Sequence, residues 1–316
     1  MRILHIISML ILGTALFATP YAGEIFNVSP GVLNQAMGNT GLTYVGSVSA
    51  GWWNPALLGA NPAPGIELVR SEHFEGLMQQ NQLSLIYGGK TRTSLQINHL
   101  GIDRVKLTQL ENEADTLSND NRPIVWKTVS NNDFILTAGI ARRLGTNLYM
   151  GISPKLAYRS LAENSGYGFG ADLGIFWDSG IGLTTAANLR DFFSTQIIWE
   201  NGTHEIAVPS LDLEAAWGFG MLSQSIPVHL ALRTQIYAED RGEASQFAAG
   251  IFSGDFHAGL LVKPIPSLRL MTGWDVDSFT AGMGVDIYAL GIDYAFKNGA
   301  PDGLGATQRI ALSYRW

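Results

Sequence analysis

Residues 307–316 read Thr307-Gln308-Arg309-Ile310-Ala311-Leu312-Ser313-Tyr314-Arg315-Trp316. Ile310, Leu312, Tyr314 and Trp316 share one parity, and Thr307, Arg309, Ala311, Ser313 and Arg315 share the other. An extended chain turns successive side chains to opposite faces, so the two sets meet different surroundings, one apolar and one wet. The same partition recurs upstream. Tyr288, Leu290, Ile292, Tyr294 and Phe296 oppose Ala289, Gly291, Asp293 and Ala295. Phe279, Ala281, Met283 and Val285 oppose Thr280, Gly282, Gly284 and Asp286. Leu213, Ala215, Trp217 and Phe219 oppose Asp212, Glu214, Ala216 and Gly218, and Val228, Leu230 and Leu232 oppose His229, Ala231 and Arg233.

The composition of the second face decides between two all-β architectures. A soluble sandwich packs its apolar faces together and clothes the others in Lys, Glu and Thr. Here the second face is mostly Gly, Ala, Ser and Asp, small enough for a narrow wet lumen, while the apolar face suits lipid. Trp177, Trp274, Tyr294 and Trp316 sit near strand ends, where interfacial girdles form. The expected fold is therefore all-β, a transmembrane antiparallel β-barrel. The whole chain agrees: among 316 residues only 15% are charged and 36 are Gly. Mean hydropathy is +0.11, dispersed at alternate positions with no second long apolar run. A formal charge of −7 argues against nucleic acid as a partner. The absence of Cys is compatible with an oxidising envelope.

The N-terminus reads as a secretory signal: Met1-Arg2, an apolar stretch from Ile3 to Phe17, then small residues from Ala18 to Ala22. Cleavage is expected after Ala22. An uncleaved anchor is the alternative, against which the apolar core is short for a span. Residues 23–63 then form an N-terminal hatch or plug, and residues 64–316 the barrel. Outside the leader no stretch of ten or more residues has a helical period.

Alternating runs bounded by turn residues number fifteen between residue 66 and the end. A single-chain barrel with both ends on one side needs an even number. The polar connections near 101–131 and 190–210 fall on one side, expected to be extracellular, whereas 297–305 falls on the other. One boundary between 211 and 296 must therefore be in error. About 14 strands are expected, with sixteen as the alternative.

Residues 31–58, GVLNQAMGNTGLTYVGSVSAGWWNPALL, stand apart from these runs. Ala36-Met37-Gly38-Asn39-Thr40-Gly41, followed by Trp53-Asn54-Pro55-Ala56-Leu57-Leu58, resembles the N-terminal signature of the PorV/PorQ family, within the FadL-like outer-membrane superfamily. Leu290 to Phe296, with its Asp-Tyr-Ala-Phe, is similar to that family's penultimate strand, and Gly305 to Ile310 with the aromatic end is similar to its closing strand. The chain departs from the pattern where Val48, Ser49 and Ala50 replace the usual Asp-Asp or Asp-Ala pair. The resemblance implies residence in the outer membrane of a Gram-negative-type bacterium. It also implies passage of small hydrophobic compounds under control of the hatch, with Trp52, Trp53, Phe26 and Leu57 as an apolar route. A non-transporting accessory role, in type IX-like secretion or envelope assembly, is the alternative implication. A soluble secreted β protein is a third reading, excluded if the protein fractionates with outer membrane. Partners would be outer-membrane lipid, the barrel-assembly machinery, and a hydrophobic small molecule or secretion-system proteins.

Met37, Gly38, Trp52, Trp53, Asn54, Pro55 and Ala56 are the candidate hatch and gating residues. Gly and Asn permit left-handed turns, and Pro55 fixes its own φ while biasing Asn54 away from helix. Irregular backbone at membrane depth is tolerated where protein or water satisfies it, as a lumen does. A gated hatch and a fixed strap fit these residues equally. On the lumen face Asp286, Asp293 and Asp275 are expected near Arg269, Arg309 and Arg315, paired within the wall.

No catalytic chemistry is legible. The six His residues lack metal-ligand spacing, Gly168, Gly170 and Gly174 miss the dinucleotide spacing, and no nucleophile motif occurs. Asp103, Glu111, Glu113, Asp115 and Asp120 read as a solvated loop. No enzyme activity, cofactor or metal is expected.

Leu312, Tyr314 and Trp316 are the expected barrel-assembly signal. Deleting Trp316 should lower the amount of assembled barrel, read as heat-modifiable gel mobility, and leave solute selectivity intact. Equal assembly of the shortened chain would contradict this.

Overall fold

The computed structural model describes residues 23–60, 62–89, 91–222, 225–299, 303 and 305–316; the expected leader lies outside them. In chain order the strands are β1 Gly65–His73, β2 Met78–Tyr87, β3 Thr93–Leu110, β4 Pro123–Gly145, β5 Leu148–Leu161 and β6 Asn164–Asp178. They continue as β7 Leu183–Arg190, β8 Gln196–Trp199, β9 His204–Ile206, β10 Ser210–Met221, β11 Ile226–Tyr237 and β12 Phe247–Ala249. The last are β13 Phe252–Ile265, β14 Leu268–Asp275, β15 Ser278–Ile287, β16 Leu290–Lys297 and β17 Thr307–Arg315.

All seventeen belong to one sheet, and β17 pairs back onto β1, antiparallel, from Gly65↔Arg315 to Glu72↔Gln308. The short β8, β9 and β12 lie outside the ring, which leaves a closed antiparallel barrel of fourteen strands. Closure removes every free edge from the wall. A sandwich has no such ring.

The fifteenth run is resolved by β12. Only Phe247–Ala249 pairs, and only with Phe252–Gly254, while β11 pairs directly with β13 from Val228↔Val262 to Tyr237↔Ser253. Left-handed backbone at Gly242 and Gly250 breaks the apparent run into a loop. With that loop out of the wall, β16 ends and β17 begins at the end of the barrel that carries 111–122 and 191–209. The opposite end carries short turns, such as 146–147, 266–267 and 288–289.

The 101–131 connection is mostly strand, contrary to its reading as a polar loop. Beyond Gly101 and Asn132, β3 and β4 pair only with each other, up to Leu110↔Pro123, and form a hairpin that overhangs the loop end. Both of its faces are wet, so it carries polar residues without the two-faced signature of the wall. The 190–210 connection likewise holds the small β8–β9 hairpin, which continues the pairing of β6 where β7 has ended.

Face assignments follow parity. Ile310, Leu312 and Tyr314 are exposed, and Thr307, Arg309, Ala311 and Ser313 are buried inward. Exposed Trp177 and Trp316 lie near the turn end; Trp274 and Tyr294 lie near the loop end. Lipid-facing positions should resist charge. Ile292→Arg, halfway along β16, should lower stability by about 2–4 kcal/mol in denaturant titrations of vesicle-inserted barrel.

Candidate functional site

Residues 23–60 run through the lumen from the loop end to the turn end. Helical turns at Glu24–Asn27, Val32–Ala36 and Ala50–Trp53, and a 3-10 turn at Pro55–Ala60, alternate with tight bends. Left-handed backbone occurs at Gly31, Gly38, Asn39 and Gly41, where Gly has no Cβ to clash and Asn, with its short polar side chain, tolerates the region. Near the loop end Ile25 and Phe26 pack on Ile135, Ala157, Ile197 and Trp199. Near the turn end Trp52, Trp53, Leu57 and Leu58 pack on Ile86 and Phe176. Phe26 therefore does not share one apolar surface with Trp52, Trp53 and Leu57: two clusters separated along the barrel replace the single route expected from sequence.

The Gly-rich inner face is a docking surface for this segment. A Cβ on Gly151 would strike the carbonyl of Pro55, and one on Gly174 would strike the Asn54 side chain. Farther round the wall, Gly259 and Gly273 meet the backbone of Met37 and Gly38, and Gly282 meets Ala36. Gly38 donates its N–H to Thr280 Oγ1 at 2.9 Å, and that hydroxyl donates to Ala36 O at 3.0 Å. Small residues here allow backbone to lie on wall.

Asn54 is fully buried. Its Nδ2 donates to Leu42 O at 3.2 Å and to Ile175 O of the wall at 3.0 Å, while its Oδ1 accepts from Ala56 N at 3.0 Å. It thus ties two parts of the segment to each other and to β6. Pro55 begins the 3-10 turn, where its missing N–H costs nothing. Trp52 and Trp53 meet edge to face at 5.1 Å, and Trp53 Nε1 donates to Pro30 O.

Three neighbouring strands latch this region, through residues that sequence reasoning did not nominate. Arg190 on β7 and Arg233 on β11 both bind Asp212 on β10, the latter at 2.7 Å. The Arg190 guanidinium lies 4.1 Å from the Trp52 ring centroid and that of Arg233 lies 5.4 Å from Trp53. Arg233 Nη1 also donates to Asn39 O at 2.7 Å, and Asn188 Nδ2 donates to Trp53 O at 3.0 Å. Glu214 accepts from Gly41 N at 2.8 Å, Thr43 N at 2.9 Å and Thr43 Oγ1 at 2.6 Å. Parity alone had put Asp212, Glu214 and Arg233 on the inner face. Their convergence needs the register that sets Asp212 opposite Asn188 and Gln235, which no local pattern displays.

The expected lumen charges divide into three sets. Arg269 pairs with Asp286 and, at 3.0 Å, with Asp293, and Arg315 reaches Asp286 at 3.4 Å. Arg309 lies apart, donating through Nη1 to Ser29 O at 2.5 Å and toward Gly31 O at 3.5 Å. Asp275 binds His257 and Lys297 and does not bind Arg309. Leu312 and Tyr314 point outward, and Trp316, 59% exposed, stacks on Tyr314 at 6.0 Å. Among the described residues no cluster of three metal-binding side chains occurs.

No protein-family model and no curated protein matches the sequence. Solved structures do match in fold. The Ralstonia pickettii toluene transporter TbuX aligns at TM-score 0.58 with 13% identity, over 92% of this chain and 100% of that one. The Pseudomonas putida toluene transporter TodX aligns at 0.55 with 13% identity, over 90% and 97%. A Pseudomonas aeruginosa FadL homologue aligns at 0.55 with 9% identity, over 91% and 99%. At these identities the likeness is one of fold.

Asp212 carries the largest single cost in the latch. Asp212→Ala leaves two buried guanidinium groups without their carboxylate, and breaking such a pair costs about 3–5 kcal/mol. Equilibrium unfolding of the variant in vesicles should show a loss of that size.

Proposed function

We propose that the protein is an outer-membrane channel for small hydrophobic compounds, with residues 23–60 as a hatch. One observation carries this reading. The segment occupies the lumen yet contributes no strand to the ring, and it is held by side chains of β7, β10, β11 and β15. Its displacement breaks hydrogen bonds and ion contacts but no strand pairing, so the wall survives opening. The fold shared with TbuX, TodX and the FadL homologue supports the same reading, as does the apolar cluster of Trp52, Trp53, Leu57 and Leu58. In this account Met37 and Gly38 seat the hatch on the β13–β15 side, while Asn54, Pro55 and Ala56 seat it on the β5–β6 side. Non-enzymatic passage through the barrel is the whole activity. The turn end faces the periplasm and the long loops face outward.

A second reading follows from the resemblance of residues 31–58 to the PorV/PorQ family, namely a non-transporting accessory of a secretion or envelope-assembly system. The overhanging β3–β4 hairpin favours it, because it exposes Val125 and Trp126 outside the membrane-spanning wall. Absence of any secretion apparatus from the same genome would remove it.

Uptake across intact outer membranes tests the first reading. Cells carrying the protein should take up toluene faster than cells without it, and Glu214→Ala, which frees Gly41 and Thr43, should change that rate several-fold. Deleting residues 31–58 should do the same wherever the barrel still assembles. Unchanged uptake in every variant would contradict the channel.

A further inference from the structure

The outer wall, which faces lipid, is uncharged over most of its circumference. By parity, the outward positions of the ring strands from β5 round to β17 carry no Lys, Arg, Asp or Glu. On β1 the outward set is Ile66, Leu68, Arg70 and Glu72. Two neighbouring register rows show the change. Ile292, Leu312, Leu68, Leu83 and Ile97 lie opposite one another across β16, β17, β1, β2 and β3, and all five are apolar. The next outward row toward the loop end is Tyr294, Ile310, Arg70, Asn81 and His99.

The polar half of that row is linked side chain to side chain. Arg70 Nη1 donates to Asn81 Oδ1 at 2.8 Å. With His99 as its Nε2–H tautomer, Asn81 Nδ2 donates to His99 Nδ1 at 3.2 Å and His99 Nε2 donates to Asn132 Oδ1 at 2.8 Å. Arg70 Nη2 lies 3.8 Å from Glu72, outside hydrogen-bond distance, and among the described residues neither Nη2 nor Nε of Arg70 has an acceptor. Tyr294, on the same row, belongs to the loop-end girdle, the level at which lipid head groups begin. A guanidinium there turns to the anionic groups of lipid, and its planar fork matches a phosphate. Directly below lies a groove of about 610 Å³, walled by Leu68, Leu83, Ile97, Ile292, Ile310 and Leu312. Arg70, Asn81 and His99 line its loop-end side.

Charge order narrows the occupant. Outward along β1 the wall offers hydrocarbon at Leu68, a cation at Arg70 and an anion at Glu72. A zwitterionic phospholipid offers chains, then phosphate, then ammonium, which is the complementary order. We propose that this face binds one such lipid from the leaflet that meets the loop end, with its phosphate on Arg70, its ammonium beside Glu72 and a chain along the groove. A second copy of the barrel fits less well. A two-fold axis along the membrane normal brings equal heights together, so Arg70 would meet Arg70 and Glu72 would meet Glu72. The site lies on the outside of the wall and does not depend on what crosses the lumen.

Native mass spectrometry of the full barrel in detergent tests the proposal, with phosphatidylethanolamine, phosphatidylglycerol or diacylglycerol of the same chains added in turn. The parent should retain one phosphatidylethanolamine per barrel, roughly tenfold more strongly than diacylglycerol, with phosphatidylglycerol between them. Arg70→Gln should lower phosphatidylethanolamine to the level of diacylglycerol. Glu72→Gln should remove only its preference over phosphatidylglycerol. Leu83→Trp leaves both charges in place and fills the groove, so it should weaken all three lipids while heat-modifiable mobility stays that of the parent. Equal retention of any two of the three lipids by the parent, full retention by Arg70→Gln or Leu83→Trp, or a lipid-free dimer would each overturn the site. Toluene uptake is a separate readout, so failure here is distinguishable from failure of the channel reading.

Discussion

Backbone laid inside a membrane barrel must find hydrogen-bond partners among side chains, because no sheet edge and little water are available to it. The rest of this structure answers to that requirement. Glu214 takes two N–H groups and a hydroxyl, Asn54 ties the segment to β6, Thr280 serves both Gly38 and Ala36, and Gln82 accepts from Gly31 N at 3.0 Å. Arg190 and Arg233 can point their cationic heads at carbonyls and indole faces while Asp212 binds both at the wall. Buried charge is then spent on fixing where an irregular segment lies.

The glycines belong to the same logic. On the outer face a missing side chain would forfeit contact with lipid; on the inner face it admits another backbone. Gly151 and Gly174 receive Asn54 and Pro55, and Gly259 and Gly273 receive Met37 and Gly38. Two seats, on opposite arcs of the ring, leave residues 41–53 spanning the lumen between them under the hold of β7, β10 and β11. The arrangement concentrates the polar attachment of residues 41–53 on one arc.

Much of the barrel was legible because lipid and lumen impose a period of two. Ile310, Leu312 and Tyr314 against Arg309, Ala311 and Ser313 needed nothing beyond local order, and the rule of even numbers narrowed fifteen runs to fourteen or sixteen. Segments without two surroundings were misread. The β3–β4 overhang is wet on both faces and so looked like loop, and residues 245–251 alternated by chance over a length too short to deny. The site was partly legible. Asn54 and Pro55 announced themselves by their backbone restrictions, and the pairing of Arg269 with Asp286 and Asp293 followed from shared parity. Arg190, Asp212, Glu214 and Asn188 could be placed on the inner face at most, since their meeting depends on register between strands and on a segment more than a hundred residues away. Arg309 shows the limit from the other side: parity put it among acids, and the register put it beside Ser29 and Gly31.

The central claim is that residues 39–53 are held to an intact ring by inward-facing side chains of β7, β10 and β11. Hydrogen exchange of the vesicle-inserted barrel, followed by mass spectrometry on parent and Glu214→Ala, tests it most directly. The claim requires faster exchange at residues 39–53 with the protection of β10 to β17 unchanged. Equal protection of residues 39–53 in both proteins, or loss of protection spread round the whole ring, would contradict it.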